Sequence, residues 1–320
     1  MNTPLTAHLD PSYRHFNFQS HIQGRYDIRN SVSLALACHL AYRTEAEVTA
    51  QAQAWGFPRV KFLEDKVVGV DTQAFVMGNA ETVIVAFRGT ESSTDWRTDL
   101  NFPKVDAMFG KVHKGFRSAL EAVIDDVLGA VAEMRDQDQD LWITGHSLGA
   151  ALATLTTAFY RHQRQTVNGL YTFGSPRVGD NRFDRFFEPD FGRHSFRVVN
   201  GNDIVTRVPP RSFGFHHVGT CVFFDGDGDW QVNPGPRRAP RLIQICTAVP
   251  TAESRWGCAD SPPNPTPDSC GDHLPNIWIN RGALTRVLRR RTHFCFPLSP
   301  CAQVLDRSIG SRPSRHCSGQ

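Results

Sequence analysis

The chain has 320 residues, of which 40% are hydrophobic and 21% are charged, a composition typical of a globular protein with a large core. Its formal charge of +3 is unevenly distributed, because residues 281–320 hold eight Arg against one Asp. The rest of the chain is therefore slightly acidic, which argues against nucleic acid as a partner.

No run reaches the roughly 18 apolar residues of a membrane span, and residues 1–20 lack a signal-peptide pattern. We therefore expect a cytoplasmic protein or one secreted without a leader. The sequence leaves the oligomeric state open.

The predicted elements alternate between helices and strands. In chain order they are a helix over 31–56, strands over 59–63, 67–76 and 82–90, a helix over 117–135, a strand over 141–145, a helix over 148–162, a strand over 169–174, a helix over 181–191, a strand over 195–200, a hairpin over 218–233 and a helix over 275–290. The strand at 82–90 is apolar almost throughout, as expected of a strand buried on both faces. This alternation predicts an α/β fold with a mostly parallel central sheet and helices on both faces.

The sharpest local signal is the pentapeptide Gly145-His146-Ser147-Leu148-Gly149, which follows a predicted buried strand and precedes a predicted helix. A Ser between two Gly in this setting is the pattern of a nucleophile elbow, where side chains at the flanking positions would collide with neighbouring backbone. The N-terminus of the following helix favours negative charge at the site. The sequence therefore predicts Ser147 as a catalytic nucleophile.

The segment LWITGHSLGA at 141–150 resembles the nucleophile region of the class 3 lipases, a branch of the α/β-hydrolase superfamily. Further blocks resemble the same family in the same order: VAFRGTESSTDW at 85–96, VHKGF at 112–116, YTFGSPRVGD at 171–180, RVVNGNDIVTRVPP at 197–210 and GDHLPNIW at 271–278. The resemblance covers residues 30–290. It implies an α/β-hydrolase domain over 31–290, interrupted at 232–270 by an irregular excursion with many Pro and Arg and several Cys. Outside it we place an N-terminal extension over 1–30 and a basic, poorly ordered tail over 291–320.

A serine nucleophile needs a general base and an acid that orients the base, and in this fold they follow the nucleophile in the order acid, then His. Asp203 directly follows a predicted strand, so its carboxylate is expected at the carboxyl edge of the sheet, and it falls at the acid position of the family block NGNDIV. Asp180 is the rival, but it belongs to a block whose role in the family is structural. A turn role for Asp203 is the alternative.

Five His lie beyond Asp203: His216, His217, His273, His293 and His316. The resemblance places the base at His273, in the loop before the last predicted helix, and gives a structural role to the His of the block GFHHVG. His217 is the alternative base. The sequence departs from the family after His273, where Pro275 and Asn-Ile-Trp stand in place of the usual Tyr.

The tetrahedral intermediate of ester cleavage needs hydrogen-bond donors that are already in position. The backbone N–H of Leu148, one residue after the nucleophile, is one expected oxyanion donor. By resemblance to the family, Thr90 supplies the second; its alternative role is to cap a following helix. His113 is interpreted as a structural His under this loop.

The sequence predicts no metal or organic cofactor. None of the eight Cys forms a Cys-x-x-Cys pair, and the acidic run at 225–229 lacks the Gly and Glu of a calcium loop, so we interpret it as a hairpin turn. Six of the Cys fall after residue 245. Whether they form disulfides depends on the compartment and stays open.

The leading functional hypothesis is a carboxylic ester hydrolase acting on acylglycerols or related lipid esters through an acyl-serine. A phospholipase A1 or an aryl or feruloyl esterase would use the same triad, and acyl transfer in place of hydrolysis stays open. The different-class alternative is a non-catalytic α/β-hydrolase binding module, whose sign would be a lost triad residue.

In the family the segment at 91–98 often forms a lid, and here only Trp96 is large and apolar, which predicts weak interfacial activation. The alternative is a solvated surface helix with no gating role. The basic run at 286–291 suggests peripheral contact with anionic lipid surfaces, or a solvated helix end.

Overall fold

The computed structural model describes residues 10–64, 72–89, 102–225 and 227–234. In the described part, helices and strands follow one another as α1 (Ile28–Leu40), α2 (Glu45–Ala54), β1 (Arg59–Glu64), β2 (Gln73–Gly78), β3 (Thr82–Phe87), β4 (Lys104–Ala107), β5 (Gly110–His113), α3 (Lys114–Glu121), α4 (Ile124–Met134), β6 (Asp140–His146), α5 (Leu148–His162), β7 (Gly169–Phe173), α6 (Asn181–Phe191), β8 (Ser195–Asn200), β9 (Thr220–Phe224) and β10 (Trp230–Val232).

A central sheet joins eight of these strands in the order β1-β2-β3-β6-β7-β8-β9-β10. The middle of the sheet is parallel, from β3 through β6, β7 and β8 to β9, whereas β1, β2 and β10 join its two sides in antiparallel pairs. This arrangement confirms the predicted α/β-hydrolase fold with a mostly parallel sheet. The carboxyl ends of the parallel strands meet at one edge, where sites form in folds of this kind.

Both faces of the sheet are buried. Neighbouring side chains along a strand point to opposite faces, so one strand contributes to two hydrophobic clusters. On β3, Val83, Val85 and Phe87 enter one hydrophobic cluster, whereas Ile84 and Ala86 enter another. Helices α3, α4, α5 and α6 supply the first cluster, and α1 and α2 supply the second. This burial on both faces explains why the sequence of the strand is apolar almost throughout.

The segment before α1 packs on the same face as α1 and α2. Phe16 stacks on Trp55 with ring centroids 4.2 Å apart, and Phe18 meets Trp142 edge-on at 5.0 Å. Tyr13 is 5% exposed and its Oη lies 2.9 Å from Nδ1 of His39. The domain boundary at residue 30 remains a prediction.

Two predicted helices were wrong in extent, since each is a pair of helices. The helix expected over 31–56 ends at Leu40, and a second begins at Glu45 because Thr44 and Glu47 form a reciprocal capping box. The helix expected over 117–135 is broken at Val123, which takes a φ of −132° and buries its side chain in the core. In both cases the apolar spacing continued across a break in the backbone.

Other predicted elements lie close to their expected positions. The hairpin over 218–233 is present as β9 and β10, and Asp225 accepts the N–H groups of Asp227 and Asp229 in its turn. The antiparallel ribbon of β4 and β5 was not predicted. The lid segment at 91–98, the tail, the helix predicted over 275–290 and most of the excursion lie outside the described residues, as do six of the eight Cys.

Within the described ranges, no helix combines the length and the apolar character needed to cross a bilayer. The same residues contain no group of three His, Cys, Asp or Glu side chains placed to hold a metal ion.

Candidate active site

Ser147 occupies a tight turn between the end of β6 and the start of α5. Its backbone has φ 56° and ψ −121°, a conformation that costs a residue with a side chain about 1–3 kcal/mol. Its N–H donates to the carbonyl of Phe173 at the end of β7, 3.0 Å away, which holds the turn on the sheet. The residue is 4% exposed, and its Oγ is buried without a hydrogen-bond partner among the described residues. The backbone of Ser147 is thus fixed, while its hydroxyl makes no hydrogen bond with the described residues.

The two glycines that flank Ser147 allow this turn to form. A Cβ at Gly145 would lie 2.1 Å from the carbonyl oxygen of Gly149, and a Cβ at Gly149 would lie 2.4 Å from the carbonyl oxygen of Phe87. Both contacts are with backbone atoms, which cannot move aside as a flexible side chain could. Strand β6, helix α5 and strand β3 therefore approach one another only because these positions lack side chains.

Leu148, one of the predicted oxyanion donors, is the first residue of α5. The N–H groups of the first helical turn have no acceptor within the helix, and the helix dipole adds positive potential there. Because Leu148 directly follows Ser147, its N–H lies at the nucleophile. The position is suited to stabilise an oxyanion.

The chain leading to Thr90 passes directly against Ser147. A Cβ at Gly89 would lie 3.3 Å from Cβ of Ser147 and 2.7 Å from the carbonyl oxygen of His146. Thr90 itself lies outside the described residues. Gly89, which directly precedes Thr90, nevertheless places the backbone of this loop beside the nucleophile.

Tyr42, which follows α1, holds this loop. Its Oη accepts the N–H of Gly89 at 3.1 Å and lies 3.2 Å from Nδ1 of His146. The guanidinium of Arg88 sits over the Tyr42 ring, 5.5 Å from the centroid. Since Oη accepts from Gly89, it can donate to a neutral imidazole, and the three groups form a continuous hydrogen-bond chain. Tyr42 was not predicted from the sequence, because no local pattern indicates its contacts with Gly89 and His146, which are far from it along the chain.

Asp203, the predicted acid, follows β8 and turns toward the carboxyl end of the sheet. Its Oδ2 lies 2.7 Å from where a Cβ on Gly174 would be, so the glycine after β7 leaves room for the carboxylate. The same Cβ position on Gly174 is 3.8 Å from Cδ2 of His146. The Oδ1 of Asp203 accepts the N–H of Val205 at 2.9 Å. The structure therefore brings Asp203 to the same edge as Ser147, whereas His273 lies outside the described residues.

The rival acid, Asp180, caps α6. Its Oδ1 accepts the N–H groups of Arg182 and Phe183, each at 3.0 Å, and its side chain also accepts from Lys111. A carboxylate with three backbone donors is committed to its helix and to the β5 ribbon.

The alternative base, His217, has a structural contact, as do His113 and His216. Nε2 of His217 lies 2.8 Å from the carbonyl oxygen of Thr206, and burial, with the charges of Arg197 and Arg177 adding to it, holds the pKa of His217 well below its usual value. His113 is buried, and its Nδ1 accepts the N–H of Phe116 as the cap of α3. His216 meets Asp184 with 4.0 Å between Nδ1 and Oδ2.

Comparison with known proteins places this geometry in a family. The family model described as "Lipase (class 3)" matches residues 84–213, which include Ser147 and Asp203. The solved structure of a Rhizomucor miehei triacylglyceride lipase is 31% identical in sequence, with a TM-score of 0.50, and the match covers 60% of this chain and 77% of that one. The chain belongs to the class 3 lipase family.

Other known lipases are also similar to this chain. A secreted mono- and diacylglycerol lipase of Fusarium solani is 36% identical over 52% of this chain and 50% of its own. A solved triacylglycerol lipase, described as having a serine protease triad at its catalytic centre, matches with a TM-score of 0.55 and 28% identity over 64% of this chain and 83% of that one. The chain spans about half to three-fifths of the length of the curated relatives it matches.

Proposed function

We propose that this class 3 lipase homologue is a carboxylic ester hydrolase that cleaves lipid esters through an acyl-Ser147 intermediate. The observation that carries the proposal is the buried Ser147 in a strained turn at the carboxyl edge of the sheet, with a helix N-terminus directly behind it. The Gly89 backbone beside Ser147 and the position of Asp203 at the same edge of the sheet support it, since the reaction needs an oxyanion donor and an acid near the nucleophile.

In the proposed reaction, Oγ of Ser147 attacks the ester carbonyl while His273 takes its proton. The carbonyl oxygen becomes an oxyanion that accepts hydrogen bonds from the N–H groups of Leu148 and Thr90, each such donor being worth about 10²–10³ in rate. The intermediate collapses, and the alcohol leaves with the proton from His273. Water then attacks the acyl-serine while His273 takes a proton from it, and the second intermediate collapses. His273 returns this proton to Oγ of Ser147 as the carboxylic acid is released. Asp203 keeps the imidazole in the correct tautomer throughout.

For the substrate class we propose acylglycerols, because the relatives in the comparison are named mono- and diacylglycerol or triacylglycerol lipases. Contact with a lipid surface would then be part of the reaction. Phospholipids and aryl esters use the same chemistry, and they serve as comparison substrates in the test.

The proposal is tested by measuring release of fatty acid from dispersed mono-, di- and triacylglycerols, phosphatidylcholine and p-nitrophenyl esters. The wild-type chain should hydrolyse the acylglycerols and the p-nitrophenyl esters, and Ser147→Ala should lower kcat by about 10⁴-fold or more. Folded protein without activity on any of these esters would contradict the proposal.

Ser195→Ala is the matched control. Ser195 is also buried, at 2% exposure, and its Oγ also has no partner among the described residues, but it lies at the amino end of β8, opposite the catalytic edge. Its replacement should leave kcat within about twofold of the wild type.

A further inference from the structure

An open cavity of about 900 Å³ lies beside β8 and β9, next to the loop that follows β8. Four arginines contribute to its lining: Arg177, Arg197, Arg207 and Arg211. Among the described residues that line it there is no Asp or Glu. The cavity therefore concentrates positive charge in a chain whose first 280 residues are slightly acidic overall.

The charge of Arg197 is only partly compensated by its neighbours. Its Nε is buried and has no hydrogen-bond partner in the described structure. The groups that face its guanidinium are the thiol of Cys221 and, more weakly, the carboxylate of Glu188. That carboxylate already accepts the N–H of Gly219 at 2.6 Å. Burial lowers the pKa of Arg197, as expected of a charge removed from water without full compensation.

The guanidinium of Arg177 adds to this charge. It donates to the backbone carbonyls of Arg207 and Pro209, which are neutral acceptors. Burial, together with the positive charges of Arg197 and Arg211, lowers the pKa of Arg177 to about 10. The guanidiniums are thus close enough to repel one another.

The remaining two arginines complete the opening. Arg207 donates to the side-chain oxygen of Asn202 at 3.2 Å, another neutral group, and Arg211 lies exposed at the rim. Buried cations in proteins are ordinarily paired with anions, because an unpaired one is costly. An anion with several acceptor oxygens would satisfy this cluster.

We propose that this cavity is a binding site for a phosphate group. A guanidinium binds a phosphate through two parallel hydrogen bonds, and several guanidiniums can bind one phosphate at the same time. A carboxylate has only two oxygens and binds fewer guanidiniums. The phosphate group is carried either by a soluble phosphate compound or by a lipid headgroup. The inference does not depend on ester hydrolysis at Ser147.

The cavity also touches the turn that holds Asp203. Thr206 lines the cavity and its hydroxyl donates to the carbonyl of Asp203 at 2.8 Å, and His217 lines it and binds the carbonyl of Thr206. Occupancy is therefore expected to stabilise this turn together with the cavity.

The test is isothermal titration of the full chain with inorganic phosphate in a phosphate-free buffer at fixed ionic strength. We expect saturable binding of one phosphate, tighter than binding of acetate. Arg211→Gln should weaken it by about tenfold, since it removes an exposed rim cation with little risk to folding. Arg193→Gln, which removes an exposed arginine that is absent from the cavity lining, should leave it unchanged. Circular dichroism and thermal denaturation confirm that both variants are folded.

Vesicles distinguish the two sources of phosphate. If vesicles of phosphatidylcholine with phosphatidic acid bind in a way that Arg211→Gln weakens and inorganic phosphate reverses, the group is a headgroup; if only soluble phosphate binds, it is a soluble compound. The proposal is overturned if phosphate does not bind the folded chain, or if Arg211→Gln and Arg193→Gln affect binding equally.

Discussion

At the scale of single residues, Ser147 combines two features that a structural serine avoids. It holds a positive φ, and its buried hydroxyl makes no hydrogen bond with the described residues. Each feature has an energetic cost, of roughly 1–3 kcal/mol for the backbone and a similar amount for the unsatisfied hydroxyl. Such costs persist where the surrounding packing enforces them, and here the flanking glycines and the bond to Phe173 do so.

Tyr42 is expected to act as a positioning residue for the loop before Thr90. Tyr42→Phe keeps the ring beside Arg88 but removes the acceptor for the Gly89 N–H, a bond worth about 1 kcal/mol. If that bond holds an oxyanion donor in place, kcat should fall by roughly tenfold while KM changes by less than about twofold. Steady-state kinetics on a soluble p-nitrophenyl ester measures both.

Tyr13→Phe is the control for Tyr42→Phe. It removes a hydrogen bond of the same type, between a tyrosine hydroxyl and the imidazole of His39, from the N-terminal segment. It should lower stability by about 1 kcal/mol and leave kcat unchanged. Equal kcat for the two variants would refute the positioning role.

At the scale of secondary structure elements, the junction of β3, β6 and α5 depends on glycine. Gly145→Ala places a Cβ 2.1 Å from a backbone oxygen, so α5 or β6 must shift. We expect a loss of about 1–3 kcal/mol in the free energy of unfolding, together with loss of ester hydrolysis. Urea denaturation and a rate assay measure these two effects.

Gly129→Ala is the matched control for that substitution. Gly129 lies on the exposed side of α4, and a Cβ there would meet nothing within 4 Å. Because alanine favours the helix, this variant should be more stable by up to about 1 kcal/mol and fully active. Wild-type stability and activity in Gly145→Ala would show that the junction tolerates a side chain.

The elements that the sequence predicted well are those whose causes are local. Helix α5 was predicted with its observed bounds, since its small and apolar residues follow a buried strand and a Gly-x-Ser-x-Gly turn. The break before α2 was not predicted, because the apolar spacing continues across it, although Thr44 and Glu47 carry the sequence signal of a capping box. The ribbon of β4 and β5 and the contact of Tyr42 with Gly89 were missed because both depend on tertiary contacts.

At the scale of the whole molecule, the acid side of the stability profile should depend on His217. Its pKa in the folded chain lies well below the unfolded value of about 6.5, so the unfolded chain binds the extra proton first. The contribution of a neutral His217 is therefore fully present above pH 6.5 and decreases as the pH falls below it. The slope approaches about 1.4 kcal/mol per pH unit for one such group.

Urea denaturation between pH 7.5 and 5 tests this dependence. His217→Gln should lower the free energy of unfolding most at pH 7.5, and the difference from the wild type should narrow toward pH 5. His162→Gln, at an exposed position near the end of α5, should leave the profile unchanged. A constant difference between wild type and His217→Gln across this range would contradict the account.

Covalent labelling shows whether Ser147 is the nucleophile. Purified chain is treated with a fluorophosphonate, and the modified peptide is located by mass spectrometry. We expect one adduct, on Ser147, that is lost in Ser147→Ala and retained in Ser195→Ala. The absence of an adduct on the folded chain, or an adduct that persists in Ser147→Ala, would contradict this role of Ser147.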